Sequence, residues 1–446
     1  MEETLRLAGE KALDAVRKVG LEGEAFLLYD RELTIETSGG EVETLKEAEE
    51  MGLGVRVCNG GRIGFAYTTD LSDEALAEIV KNAVHISAYS DADEFNILPE
   101  GNQVYPLVPT YDSSIATVDL EEKIELAREV EKAARDYDSR IVLVDRAGYE
   151  DSQFSMLVMN TRGLYAFGRG SNCGLFISLA AREENDTQNG FAFDMKKSFS
   201  LLNARMVGEE SAMRAVRSLK ARTIDSAQIP CILEPYVVTR FTSLLSASIQ
   251  ADAVQKGKSM LAGKVGQQVA SAQFNLIDDA AHKEGMASFS FDGEGVASER
   301  KVIIEQGELK GFLYDTYTGL KAGLRSTGNA IRGSFRSLPG VGTTNLILSP
   351  GTESPTQLIA DIDCGFYITD VMGMHTANPI SGDFSLGAAG IMIEKGQLTY
   401  PVRGVTIAGN LLNLLQDIDS VGSDLRFFGG KAAATVRLQS ISVGGY

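Results

Sequence analysis

The 446-residue sequence has no tryptophan, only three histidines and only four cysteines. The three imidazoles, His85, His282 and His375, are far apart. No His-Glu-x-x-His or His-Glu-x-x-x-His occurs, the helical pairing by which zinc peptidases hold their metal beside a general base. Cys58, Cys173, Cys231 and Cys364 show no Cys-x-x-Cys spacing and read as reduced, mostly buried small hydrophobes. No run approaches the roughly 20 apolar residues of a membrane helix. The first residues, Met1–Arg6, are charged and carry no apolar signal core. The expectation is a cytoplasmic chain with no membrane partner. Cations are also scarce: 42 Lys and Arg stand against 61 Asp and Glu, a net charge of −19. Such a surface repels phosphate backbones, so nucleic acid is not expected as a partner. Gly-x-Ser-x-Gly is missing, which leaves a serine nucleophile unsupported. Gly257-Lys258-Ser259 ends like a phosphate loop, but Asp252 stands where its first glycine belongs. Gly168-Arg-Gly170 with Gly174 is followed by a strand-like run, where a dinucleotide site needs a helix.

What is present is a patterned α+β chain. Leu5, Ala8, Ala12, Val16 and Val19 give residues 3–19 a helical face. Strand-like runs follow at 25–29, 33–37, 54–58 and 63–68, with Asn59-Gly60-Gly61 as a turn. Ser72 then caps a second helix whose inner face is Leu76, Ile79, Val80, Ala83 and Val84. Past Asn96, Pro99, Pro106 and Pro109 break the periodicity, as in a linker. Asp119 with Glu122 forms a capping-box-like pair for a helix with Leu120, Ile124, Ala127 and Ala134 inside. Strands are expected at 141–145, 154–160, 164–168 and 175–180. Gly190-Phe-Ala-Phe-Asp194 echoes Gly64-Phe-Ala-Tyr67, and a closing helix carries Ala212, Ala215, Val216 and Leu219. Helix, antiparallel strands, helix thus occurs twice, in units of about 3–95 and 117–220 within an N-terminal domain of residues 1–222. The polar stretch Lys220–Pro230 reads as the boundary to a mainly-β C-terminal domain, 223–446. That domain opens with a helix over 236–251. Its two near-repeated hairpins are Ile304-Glu-Gln-Gly-Glu-Leu309 and Ile393-Glu-Lys-Gly-Gln-Leu398.

The densest stretch of Gly, Ser, Asp and Asn is Gly373–Ser385, a loop that could display binding groups or simply connect strands. Gly387-Ala-Ala-Gly390 after it reads as a small-residue turn, and Ala408–Leu415 as a helix. His375, Cys364, Asp361, Asp363 and Asp383 lie close in sequence but without the tight spacing of a metal site. His375 reads instead as a loop group bonding the Asp383 turn or a bound peptide. His282 is expected in an exposed loop, Asp278–Glu284, and His85 reads as structural.

Several ordered motifs resemble one family. Met372-Gly373, Ser381-Gly-Asp-Phe-Ser385, Gly387-Ala-Ala-Gly390, Ile393-Glu-Lys-Gly396, Tyr400-Pro-Val402 and Thr406-Ile-Ala-Gly-Asn410 are similar to the TldD/PmbA metallopeptidases. Upstream, Phe291-Asp-Gly-Glu-Gly295 and Ser326-Thr-Gly-Asn-Ala330 fit as well. Within that family the chain resembles the PmbA (TldE) branch. The resemblance implies a zinc-bearing branch with His-Glu-x-x-x-His on the helix where Thr242-Ser-Leu-Leu-Ser-Ala247 stands here, and a Cys ligand in the turn that here reads Phe427-Phe-Gly-Gly-Lys431. Three functional positions differ together, so no zinc is expected in this chain, only in a partner subunit. The expected role is the non-zinc subunit of a peptidase acting on unfolded peptides, paired with a zinc-bearing TldD-like relative. Gly373, His375, Asn378, Ser381, Gly382, Asp383 and Phe384 would offer the peptide surface, since an extended peptide can pair with loops and strand edges through its main chain. Two other roles fit the same residues: a homodimeric peptide-binding protein without proteolysis, and an autonomous peptidase built around His375. The family's older description as a modulator of DNA gyrase implies an indirect link through proteolysis.

Overall fold

The computed structural model describes residues 1–445. Helix α1 (Glu2–Lys18) buries Leu5, Ala8, Ala12, Leu13 and Val16 along one face. It is followed by strands β1 (Glu22–Ser38), β2 (Glu41–Asn59) and β3 (Arg62–Thr68) and by helix α2 (Asp73–Ser87). Ser72 caps α2 by accepting from the Ala75 amide. After one helical turn, α3 (Ser114–Thr117), the order repeats: helix α4 (Leu120–Tyr137), strands β4 (Ile141–Asn160), β5 (Tyr165–Glu183) and β6 (Asp186–Lys196), and helix α5 (Ala204–Val216). All six strands form one antiparallel sheet in the order β3-β2-β1-β4-β5-β6, so the two units meet at their first strands and each ends on an edge strand.

The echoed glycines explain themselves here. A Cβ on Gly64 would lie 1.8 Å from the Ala83 carbonyl oxygen of α2. A Cβ on Gly190 would lie 2.1 Å from the Ser211 carbonyl oxygen of α5. Each edge strand needs a bare backbone where its own unit's closing helix crosses it.

Several local expectations change. The runs at 25–29 and 33–37 are one strand, and those at 141–160 and 165–183 are two long strands rather than four short ones. The middle of β1 is polar and half-exposed, where Arg31 pairs with Glu47 and Glu49, whereas the middles of β4 and β5 are buried under the second unit's helices. Helix α4 starts at Asp119 as expected, yet that side chain makes no capping bond, and Leu120 is exposed rather than inward. Residues 88–113 hold no helix or strand but are anchored. Asn160 donates to the Pro99 carbonyl at 2.9 Å, and the Tyr105 hydroxyl to the Gly295 carbonyl at 2.9 Å, with Leu98 and Val108 buried.

The second half is built around a closed barrel. Strands β7 (Ala227–Leu233), β14 (Cys364–Met372), β15 (Asp383–Glu394), β16 (Gln397–Asn410) and β20 (Val436–Gly444) pair in a ring, because β16 returns to β20 from Thr406↔Gly444 to Ala408↔Ser442. β17 (Ile418–Val421) extends β20. Pro230 lies inside β7, at the irregularity between Leu438 and Ile441 of β20, one of the few strand positions that tolerates a missing amide. A second sheet runs β10 (Glu308–Leu309), β9 (Arg300–Glu305), β8 (Leu276–Asp279), β13 (Leu346–Leu348), β19 (Lys431–Ala433), β18 (Arg426–Phe428), and β11 (Ala330–Ile331) pairs with β12 (Gly340–Val341). Helix α6 (Pro235–Ser246) is shorter than expected and passes into a 3-10 turn at Ala247–Ile249; α7 (Ala251–Gln255), α8 (Thr316–Lys321), α9 (Pro355–Ala360) and α10 (Leu411–Gln416) are short.

Gly387-Ala-Ala-Gly390 is not a turn but the middle of β15. Its small residues let neighbouring strands close, since a Cβ at Gly390 would lie 2.0 Å from the Tyr367 carbonyl. Ala408–Asn410 ends β16 instead of starting a helix; Asn410 caps α10 by accepting from the Leu412 amide. Both hairpins turn as expected, with positive φ at Gln306 and Gly307 (48° and 79°) and at Lys395 and Gly396 (50° and 73°). Asp278, expected in an exposed loop, is fully buried in β8, where Thr344 and Asn329 donate to it. His282 stacks on Phe427, ring centres 4.7 Å apart.

The two halves are locked by buried charge. Arg56 of β2 reaches Glu24 of β1 at 2.6 Å and Glu294 of the second half at 2.9 Å; Arg332 closes the circuit onto Glu24. The Thr316 amide donates to Glu294, and Asp292 accepts from the amides of Glu294, Val296 and Ala330. The Phe291–Gly295 and Ser326–Ala330 motifs therefore serve this junction. Burial and the charge of Glu294 push the Asp292 carboxyl up to about 7.

Candidate functional site

The Gly373–Ser385 segment turns on two left-handed glycines, Gly373 (φ +83°) and Gly382 (φ +84°). Its polar groups are largely spent on the loop itself. Asn378 accepts from the Ile380 and Ser381 amides at 2.9 and 3.2 Å. Asp383 accepts from the Ser381 hydroxyl at 2.7 Å and from the Asn410 amide group at 2.9 Å, and these two bonds hold its carboxyl below the usual range. Phe384 is buried against Phe241, ring centres 5.2 Å apart, and Gly382 is buried beside Met260. His375 is exposed and is not among the partners of Asp383. Of the seven loop residues expected to meet a peptide, His375, Asn378, Ser381 and Asp383 are exposed, whereas Gly382 and Phe384 support the loop from beneath. Cys364 begins β14 and His375 lies past its other end, and the strand's nine residues span roughly 26 Å at about 3.3 Å per residue. Their proximity in sequence builds no common site.

Helix α6 packs against β18 and β19, with Tyr236 edge-on to Phe428 at 5.4 Å. Thr242 is buried and donates to the Thr239 carbonyl at 3.1 Å; Ser243 donates to the same carbonyl at 2.6 Å. These hydroxyls bond their own helix. In the facing turn Gly429 adopts φ +63° with open space where a Cβ would go. Among the described residues no group of three or more His, Cys, Asp and Glu could hold a metal. Neutral hydroxyls and a bare glycine do not fit zinc, which selects thiolate, imidazole and carboxylate. The residues at this place are cationic instead: Lys431 is half-buried, and burial together with Arg240 lowers its pKa.

Beside this helix lies a cleft of about 360 Å³ between the first sheet and the barrel, lined by Gln188–Phe191 of β6, by Arg214 and Arg217, by Tyr236, by Asp370 and Met372, and by Arg403. β6 is an edge strand and pairs only with β5. Arg217 forks onto Glu234 at 2.7 and 3.1 Å. Glu210 takes Arg214 at 2.6 Å and both arms of Arg426 at 2.9 and 2.7 Å. Arg403 donates to the Gln188 side chain. Burial raises the pKa of Asp370, while Arg214, Arg240 and Arg403 pull it back. Sequence reasoning missed this cleft because its arginines come from the end of α5 (Arg214, Arg217) and from β16 (Arg403), with no common spacing. The one available signal was the echoed Gly190 strand, which is its wall.

Comparison with known proteins places the chain. Residues 23–87 match the PmbA/TldA metallopeptidase domain 1, 113–219 the central domain, and 226–445 the C-terminal domain. The chain belongs to the PmbA/TldD metallopeptidase family. It is 28% identical to a metalloprotease PmbA homolog of Haemophilus influenzae over 100% of this chain and 97% of that one. A solved Thermotoga maritima structure, described as a candidate modulator of a DNA gyrase, superposes with a TM-score of 0.91 at 28% identity, covering 98% of this chain and 100% of that one. The structure of TldE from Thermococcus kodakarensis gives a TM-score of 0.90 at 24% identity over 100% of both chains, a likeness of fold. Among the described residues no helix is long and apolar enough to cross a membrane.

Proposed function

We propose that this PmbA/TldD-family chain is the peptide-holding, non-zinc subunit of a cytoplasmic metallopeptidase that processes unfolded peptides. The observation that carries the reading is the pairing of α6 with the Phe427–Lys431 turn. The side of α6 left partly exposed carries Tyr236, Arg240 and Ser243, followed by Ala247 of the 3-10 turn, with no imidazole, thiol or carboxylate among them. A Lys and an Arg stand where a divalent ion would need anionic or neutral nitrogen and sulfur donors. The cleft alongside has what an extended peptide needs: an edge strand paired on one side only, with the Phe191 carbonyl held by Arg214, and polar side chains facing it. A His-Glu-x-x-x-His relative would supply zinc and the general base; this chain would supply interface and peptide surface, including the exposed groups of the Gly373–Ser385 loop.

The test is co-expression with that relative from the same genome, followed by a peptide-cleavage assay. Cleavage that requires both chains supports the reading. Equal cleavage by the relative alone removes it, and full cleavage by this chain alone with loss on His375→Ala would replace it with an autonomous peptidase.

A further inference from the structure

The chain carries 19 more acidic than basic formal charges, yet the cleft concentrates cations. Arg214, Arg217 and Arg426 are matched by Glu210 and Glu234. Arg240, Arg403 and Lys431 form no ion pair among the described residues, and the charges of Arg240 and Arg403 act on Asp370 of the cleft. Arg240 is exposed and Arg403 holds only the neutral Gln188 amide, so both guanidinium groups retain donors for a ligand. Arg403 lines the barrel side of the cleft, opposite the edge of β6, whereas Arg240 lies outside the lining and acts on Asp370 only through its charge. Guanidinium favours planar, two-oxygen anions, and cations gathered in a partly enclosed cleft act through a lower dielectric than surface charges do.

We propose that this cleft binds a carboxylate of an extended peptide, with Arg403 as the carboxylate-binding group, Arg240 adding positive charge from just outside the lining, and the edge of β6 as the main-chain partner. The proposal rests on the peptide-processing reading and names its substrate class: peptides presenting a carboxylate, either at the C-terminus or on an acidic side chain. Arg214, lying over the Tyr236 ring at 5.9 Å and held by Glu210, keeps the aromatic wall in place.

The experiment uses the full chain and one short, unstructured, dye-labelled peptide in three forms: free acid, C-terminal amide, and free acid with its Glu replaced by Gln. Affinity is read by fluorescence anisotropy. One neutralised form is expected to bind about tenfold more weakly, the loss that follows when a charge-assisted hydrogen bond is removed, and which form weakens identifies the source. Arg240→Ala with Arg403→Gln is expected to weaken the intact form by a similar factor and to leave the neutralised form unchanged, a difference that simple misfolding would not produce. Equal, measurable affinity for all three forms overturns the carboxylate inference while leaving peptide binding intact. No binding of any form, alone or with the His-bearing relative, overturns both.

Discussion

Arginine is used in two opposite ways in this molecule. At the junction of the first sheet with the second half, Arg56 and Arg332 are sealed from water and share Glu24, with Glu294 taking the other side of Arg56. In the cleft, Arg403 is exposed, holds only the neutral Gln188 side chain and forms no ion pair among the described residues. Burying a charge is costly unless geometry returns the lost hydration, so the first group is a lock whose parts depend on one another. The second keeps its hydration and its donors until a ligand arrives. The same side chain is structural where its partners are built in and functional where they are left out.

The largest effect should come from breaking the lock. Glu24→Ala strands the buried Arg332 guanidinium and leaves Arg56 with Glu294 alone, and denaturant unfolding should show a loss of about 3–5 kcal/mol. A loss under about 1 kcal/mol would mean that water already reaches the junction. Next, Gly190→Ala forces a methyl into the Ser211 carbonyl 2.1 Å away. It should cost about 1–3 kcal/mol by thermal unfolding and shift the β6 wall of the cleft, weakening peptide binding; Gly64→Ala should cost as much and leave binding alone. The lock should also respond to pH. Asp292 titrates near 7 folded against an ordinary 3.8, so the folded state binds the extra proton between those values. This contribution is complete at low pH and is lost as pH rises through about 7, on the order of 1 kcal/mol or more. Comparing urea unfolding at about pH 5 and about pH 8, Asp292→Asn should flatten the dependence; an unchanged slope would place the titration elsewhere. The smallest stability effect belongs to the cleft: Arg403→Gln should change unfolding free energy by less than about 0.5 kcal/mol. A large loss would mean that Arg403, too, is structural.

The fold was legible where periodicity is strong. The amphipathic α1, the Ser72 cap and the two Gly-centred hairpins follow from local rules that the tertiary structure does not override. So does the repeat, whose Gly64 and Gly190 echo marks helix crossings. Strand length was not legible, because Glu41–Glu50 of β2 is mostly exposed and carries no apolar alternation. Gly387–Gly390 misled because small residues serve turns and close strand packing alike. The Asp-Gly-Glu and Thr-Gly-Asn motifs were visible, but that they join two halves of the chain depends on contacts across more than two hundred residues, such as Glu24 to Arg332. The loop at 373–385 was conspicuous in sequence because of its own turn chemistry. The cleft was silent because no local pattern brings Arg214, Arg217 and Arg403 together.

The central claim is that α6 and the Phe427–Lys431 turn present cations and hydroxyls, and so no home for zinc. The direct measurement is metal content of the purified chain by mass spectrometry after incubation with excess zinc and desalting. The account predicts no stoichiometric zinc. One tightly held zinc per chain, lost on substituting residues of α6 or that turn, would contradict it.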